Sequence, residues 1–80
     1  MIMNNNIEYN LGEQPIAKIM LEQNLKSQDL VAVSTEQITH KMVTRACKGR
    51  RLKPRIQAKV CNALNTLMNK NYSVKDLFTY

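Results

Sequence analysis

The apolar residues of this chain recur three and four positions apart, and they nowhere alternate for the length of a strand. That period restricts the fold to packed helices, and a few residues mark where the helices begin and stop. Pro15 suits the first position of a helix, where its missing N–H has no partner to lose. Ile16, Ile19, Met20 and Gln23 follow at helical spacing, with Lys18 and Glu22 as an exposed i,i+4 pair. Asn24 is the expected terminus, because asparagine tolerates the left-handed backbone of a C-cap. Ser27 is expected to N-cap a short second helix, Gln28 to about Val33, packed through Leu30 and Val31 or Val33.

Ser34-Thr35-Glu36-Gln37 reads as a capping box, which predicts a third helix running to about Lys48 and stopped by Gly49. On a helical wheel Thr35, Ile38, Met42, Val43 and Ala46 share one arc, with Thr39 inside it. Gln37, His40, Lys41, Thr44 and Lys48 take the opposite arc, with Glu36 and Arg45 at its edges. A basic loop follows, Gly49-Arg50-Arg51-Leu52-Lys53, and Pro54 opens a fourth helix. Ile56, Val60, Ala63, Leu64 and Leu67 form its apolar stripe, Asn69 to Asn71 closes it, and Ser73-Val74-Lys75-Asp76 starts a last turn carrying Leu77 and Phe78. The expected architecture is all-α, four to five helices in a single domain over 11–80. The asparagine-rich residues 1–10 are expected to form a flexible arm, with Ile7 and Tyr9 as late contacts.

Eighty residues make one modest core, and at this size a core rarely supplies more than about 3–5 kcal/mol of net stability. Two cysteines cannot build a disulfide scaffold, no apolar run reaches the ~18 residues of a membrane helix, and the start lacks a signal-peptide pattern. These features lead us to expect a soluble cytoplasmic protein.

The formal net charge of +6 is unevenly distributed. Residues 1–36 hold five acids and two bases, whereas residues 37–75 hold ten Lys or Arg and no acid. Eight of those ten fall between Lys41 and Lys59: Lys41, Arg45, Lys48, Arg50, Arg51, Lys53, Arg55 and Lys59. Solubility alone favours interspersed signs, so a zone of one sign points to a polyanionic ligand.

Catalysis finds little to work with. His40 is the only histidine, set on the exposed arc with Glu36 four residues before it at a marginal face position. Cys47 and Cys61 match no zinc or redox spacing and are expected to act as small hydrophobes. Two glycines cannot make a phosphate-cradling loop, and Met20, Met42 and Met68 sit at or near apolar stripes, where core filling is expected. No enzyme activity, cofactor, metal or small-molecule substrate is expected.

A short helix, a turn, a second helix with a basic outer face and a basic loop form a helix-turn-helix arrangement. A protruding helix fits the ~12 Å major groove, where side-chain donors and acceptors near its N-terminus read base edges. Gln37 can pair bidentately with adenine, Lys41 can reach guanine or the backbone, and Thr44 can take a base edge or a phosphate. His40 offers one more donor, and Thr35 is a further candidate for DNA contact. Arg45, Lys48, Arg50, Arg51 and Lys53 are suited to phosphates.

Three motifs resemble those of the phage Cro and lambda-repressor family of helix-turn-helix domains (the xenobiotic-response-element type). Leu25-Lys26-Ser27-Gln28-Asp29-Leu30 looks like the start of the family's second helix, and Lys48-Gly49-Arg50-Arg51-Leu52-Lys53-Pro54 is similar to the segment after its recognition helix. Ser73-Val74-Lys75-Asp76-Leu77-Phe78 looks like its closing short helix. The resemblance implies a five-helix domain, bacterial or phage-encoded, that represses transcription, often as a homodimer on a palindromic operator. It also implies that Gln28 meets a phosphate. Val33-Ser34-Thr35-Glu36 departs from the family in lacking the glycine usual in its turn, and Ser27 to Gly49 is slightly longer than typical.

Two other partners are compatible with a basic face. RNA is disfavoured, because Tyr9, Tyr72, Phe78 and Tyr80 all lie outside the basic zone and cannot interleave stacking platforms with it. A protein-interaction module docking on an acidic partner uses the same charges. Leu77, Phe78 and Tyr80 either cover the core or pair across a two-fold axis.

Overall fold

The computed structural model describes residues 12–80, so the arm expected over 1–10 lies outside the described residues. The described chain contains five helices and no strand. They are α1 (Pro15–Glu22), α2 (Ser27–Val33), α3 (His40–Lys48), α4 (Pro54–Met68) and α5 (Val74–Leu77). Proline opens α1 and α4 as the sequence indicates. Left-handed residues follow three of the helices: Asn24 (φ 58°) after α1, Gly49 (φ 82°) after α3 and Asn69 (φ 56°) after α4. At Asn24 and Gly49 the closing turn carries the paired bonds of a Schellman motif. Leu25 N–H donates to Met20 O and Asn24 N–H to Leu21 O, and likewise Arg50 N–H to Arg45 O and Gly49 N–H to Ala46 O.

The core is one cluster to which every helix contributes: Ile16 and Met20 from α1, Leu30 from α2, Val43 and Ala46 from α3, Val60, Cys61, Ala63 and Leu64 from α4, and Leu77 from α5. Ile38 and Phe78 join it from the flanking segments. Helix α4 packs against α2, α3 and α5, and α1 packs against α3 and α5. Met42 and Met68 are half-buried against the cluster, in the filling role expected of them. Of the two readings of the C-terminus, Leu77 and Phe78 take the covering one, since both are buried in this chain's own core.

Two helix starts differ from the sequence reading. Ser27 lies inside α2 and does not cap it. The Asp29 carboxylate accepts the Lys26 N–H at 2.8 Å, so the helix is anchored one residue earlier. The larger correction concerns α3, which starts at His40 and not near Thr35. Ser34 spends its hydroxyl on a turn two residues long, accepting Glu36 N–H at 3.1 Å and donating to Glu36 O at 2.7 Å, so no Ser34–Gln37 capping box forms. Thr39 caps the helix instead, its hydroxyl accepting Met42 N–H at 3.2 Å. Residues 34–39 form an irregular connection between α2 and α3, longer than the three or four residues usual in a helix-turn-helix. Buried Ile38 pins it from inside, and Asn62 on α4 donates to the Glu36 carboxylate at 3.1 Å from outside.

Both cysteines are reduced. The Cys61 thiol donates to Tyr72 O at 3.2 Å, and the half-buried Cys47 thiol points at the Met20 sulfur at 3.7 Å. Asn65 holds the segment between α4 and α5 by pairing both ways with the Tyr72 backbone: its Nδ2 donates to Tyr72 O at 2.9 Å, and Tyr72 N–H donates to its Oδ1 at 2.8 Å.

Candidate nucleic-acid interface

Helix α3 divides cleanly. At about 100° per residue, His40, Thr44, Lys48, Lys41 and Arg45 occupy one arc of about 140°. All five are exposed. Met42, Val43, Ala46 and Cys47 fill the rest and face the core or its margin. The shortened helix therefore keeps the polar face assigned to it, minus its first part. Thr35 and Gln37 are exposed but sit on the 34–39 connection, ahead of the helix and off its face. Thr35, expected on the inner arc, is not buried, and Thr39 is engaged as the cap.

The start of α2 meets the middle of α3. The hydroxyls of Ser27 and Thr44 lie 3.4 Å apart, which brings the exposed Gln28 beside the polar face of α3. At the other end, Gly49 turns the chain into the loop of exposed Arg50, Arg51 and Lys53. Gly49 is buried with φ 82°, and a Cβ there would fall on the Gly12 carbonyl, so only glycine makes this turn without displacing its neighbour. The site residues thus group as a helix face, a basic loop at its C-terminal end, Gln28 at its flank, and Thr35 and Gln37 beyond its N-terminus.

Electrostatically the face carries cations without close ion pairs, and the acid Glu13 borders it, lining a cleft with Lys48 and Arg50. Within the described residues, none of the ten lysines and arginines between 41 and 75 has a carboxylate within 4 Å. Glu36, the acid closest in sequence to the face, is engaged by Asn62, so its carboxylate is not orienting His40. Neither cysteine sits where a thiolate is favoured. Burial, with a smaller contribution from the Glu13 charge, pushes the Cys47 thiol pKa up, and burial likewise raises that of Cys61. Among the described residues no group of three His, Cys, Asp or Glu gathers to hold a metal, and no helix is long and apolar enough to cross a membrane.

Tyr80, which lies outside the basic zone in sequence, is brought against the basic loop by the fold, a placement that sequence reasoning missed. Its phenol donates to Arg50 O at 3.0 Å and accepts from Leu52 N–H at 3.1 Å, so it clasps the basic loop from the far end of the chain. It packs edge-on against buried Phe78, with ring centroids 5.8 Å apart. Arg55, exposed on the first turn of α4, extends the basic loop and was counted only as charge. Neither role has a local sequence signal, since each depends on which segments fold together. Comparison of this chain with protein-family models, curated proteins and solved structures finds no match.

Proposed function

We propose that this chain binds double-stranded DNA sequence-specifically and acts by occupancy, as a small transcriptional regulator of the repressor type. One observation carries the reading: the exposed arc of α3, with His40 and Lys41 on its first turn, continues into the Arg50–Lys53 loop, and among the described residues no carboxylate lies within 4 Å of a cation in either. A helix presenting donors at its N-terminal turn and cations at its C-terminal end suits base edges at one end and phosphates at the other. In this reading Lys41, His40 and Thr44 read bases, with Gln37 reaching in from the preceding segment. Arg45, Lys48, Arg50, Arg51 and Lys53 hold the backbone, and Gln28 meets a phosphate on the flank. The length of the 34–39 connection makes this a variant of the helix-turn-helix mode, with the groove-entering helix shortened to the nine residues of α3.

Selection of bound duplexes from a random pool tests the proposal. A single enriched motif is the expected result, and a palindromic one would add a dimer. A selected pool indistinguishable from the input would overturn it.

A further inference from the structure

Helix α4 begins without the groups that usually quench a helix N-terminus. It is fifteen residues long, its N-cap Lys53 makes no side-chain capping bond, and no acidic residue lies in its first turn. The positive end of its dipole therefore faces Arg51, Lys53 and Arg55, which add to the same sign. Beside it opens a cleft of about 460 Å³ lined by Arg51, Leu52, Lys53, Pro54, Gln57 and Tyr80.

Gln57 is the independent observation. It is only 6% exposed, yet its side-chain amide makes no hydrogen bond to any other described residue. Among the described residues no buried side-chain nitrogen or oxygen is sealed from solvent without a partner, so this amide reaches solvent beside the cleft that Gln57 lines. With no acceptor from the protein, its N–H is available to an anion that enters the cleft. The opposite wall is fixed in advance, because the Tyr80 phenol holds Arg50 O and Leu52 N–H and so sets the backbone that carries Arg51 and Lys53.

We infer that this cleft is a binding pocket for one phosphate group, with the Gln57 amide N–H donating to a phosphate oxygen at its floor and Arg51 and Lys53 closing over it. Arg51 supplies a planar fork for two oxygens, Lys53 a point charge, and the N-terminus of α4 the dipole. No acidic side chain lines the cleft to oppose the anion. The inference deepens the DNA-binding reading, because a backbone phosphodiester is one source of the group and a free phosphorylated small molecule is the other. It does not depend on how α3 reads bases.

The test is an NMR titration of the full chain, labelled with nitrogen-15, with inorganic phosphate at constant ionic strength set by chloride. Saturable shifts of the Gln57 side-chain amide and the Leu52 and Arg55 backbone amides are expected. They should weaken at least fivefold in Lys53→Ala and in Gln57→Leu, and persist in the remote Lys75→Ala. Non-saturating shifts, or shifts indifferent to Lys53→Ala, overturn the pocket; since Lys53 is exposed, that variant probes it with the core intact. Given phosphate binding, a duplex that displaces phosphate from Gln57 assigns the site to the DNA backbone. A duplex that binds and leaves the Gln57 signal unchanged assigns it to a free phosphorylated molecule. Phosphate binding with no duplex binding at all upholds the pocket and overturns the DNA reading alone.

Discussion

The side-chain carbonyl of Gln14 accepts two hydrogen bonds from Thr79, one from its N–H at 2.6 Å and one from its hydroxyl at 3.0 Å. These residues are 65 positions apart, and Gln14 is almost wholly buried. Its Nε2 donates in turn to Gly12 O at 2.9 Å. One amide thus joins the segment before α1 to the segment after α5, close to the Tyr80 that clasps the basic loop. Gln14→Leu keeps the bulk and removes all three bonds. It is expected to lose about 1–3 kcal/mol by leaving the Thr79 N–H without its acceptor. Thr79→Ala removes one bond at an exposed residue and should lose about 0.5–1.5 kcal/mol. Urea denaturation of both variants checks the order; equal losses would mean that the bonds to the Thr79 N–H and the Gly12 carbonyl together contribute nothing.

The two glycines separate backbone strain from steric clash. Both have positive φ, 89° at Gly12 and 82° at Gly49, but an added Cβ meets no atom of a described residue within 4 Å at Gly12 and meets the Gly12 carbonyl at Gly49. Gly12→Ala should therefore lose about 1–2 kcal/mol through the left-handed penalty. Gly49→Ala should lose that and more, because the chain before α1 must move away from the end of α3. Thermal melts measure both, with about 4–8 °C expected per kcal/mol in a domain this small. A Gly49→Ala melt at or above that of Gly12→Ala would contradict the close approach.

Much of the helical frame was legible because its signals are local. Pro15 and Pro54 fix helix starts, and Asn24, Gly49 and Asn69 relieve the left-handed turn at helix ends, whatever the rest of the chain does. The start of α3 was not legible for the opposite reason. Ser34 and Thr39 are both competent caps, and local sequence favours the former through Gln37. Tertiary contacts decide for Thr39: burying Ile38 and bonding Glu36 to Asn62 hold 34–39 out of the helix. The polar face from His40 to Lys48 survived this shift, since its period belongs to α3 itself. The meeting of Gln57 and Tyr80 at the basic loop gave no signal, because a cleft exists only once the loop, α4 and the C-terminus are assembled.

The thiols make stability depend on pH on the alkaline side. Burial is the larger cause that raises the Cys61 pKa, joined by the Asp76 charge and opposed by the hydrogen bond from the Asn65 amide. A thiol whose folded pKa exceeds its unfolded value binds its proton more tightly when folded. Its contribution is complete below the ordinary value of 9.0 and is lost as pH rises through the raised folded value. The stability difference between the native chain and Cys61→Ala should accordingly shrink as pH climbs above 9.0. Denaturation at pH 7 and at successive alkaline values measures it, and a pH-independent difference would remove Cys61 as the cause. Alkylation of Cys61 should also follow unfolding, with the native chain reacting slowly.

The proposed division of labour between α3 and the loop after it gives the sharpest functional expectation. Lys41 lies on the first exposed turn, whereas Arg50 and Arg51 lie past the Gly49 turn, where the chain has left the helix. A base contact carries sequence information and a phosphate contact does not. Lys41→Ala should therefore narrow the gap between selected and random duplexes by about 1–3 kcal/mol while leaving random-duplex affinity nearly unchanged. Arg50→Ala and Arg51→Ala should weaken both duplexes alike, and each should flatten the log–log salt dependence by about 0.9 for the phosphate it no longer neutralises. Arg50 offers a further check, because its carbonyl accepts from Tyr80 through the backbone and Arg50→Ala leaves that clasp in place. Binding isotherms on both duplexes across a salt series measure all of this. If Lys41→Ala flattened the salt dependence as Arg51→Ala does, with discrimination intact, the helix would be holding phosphates along its whole length and the bases would be read elsewhere.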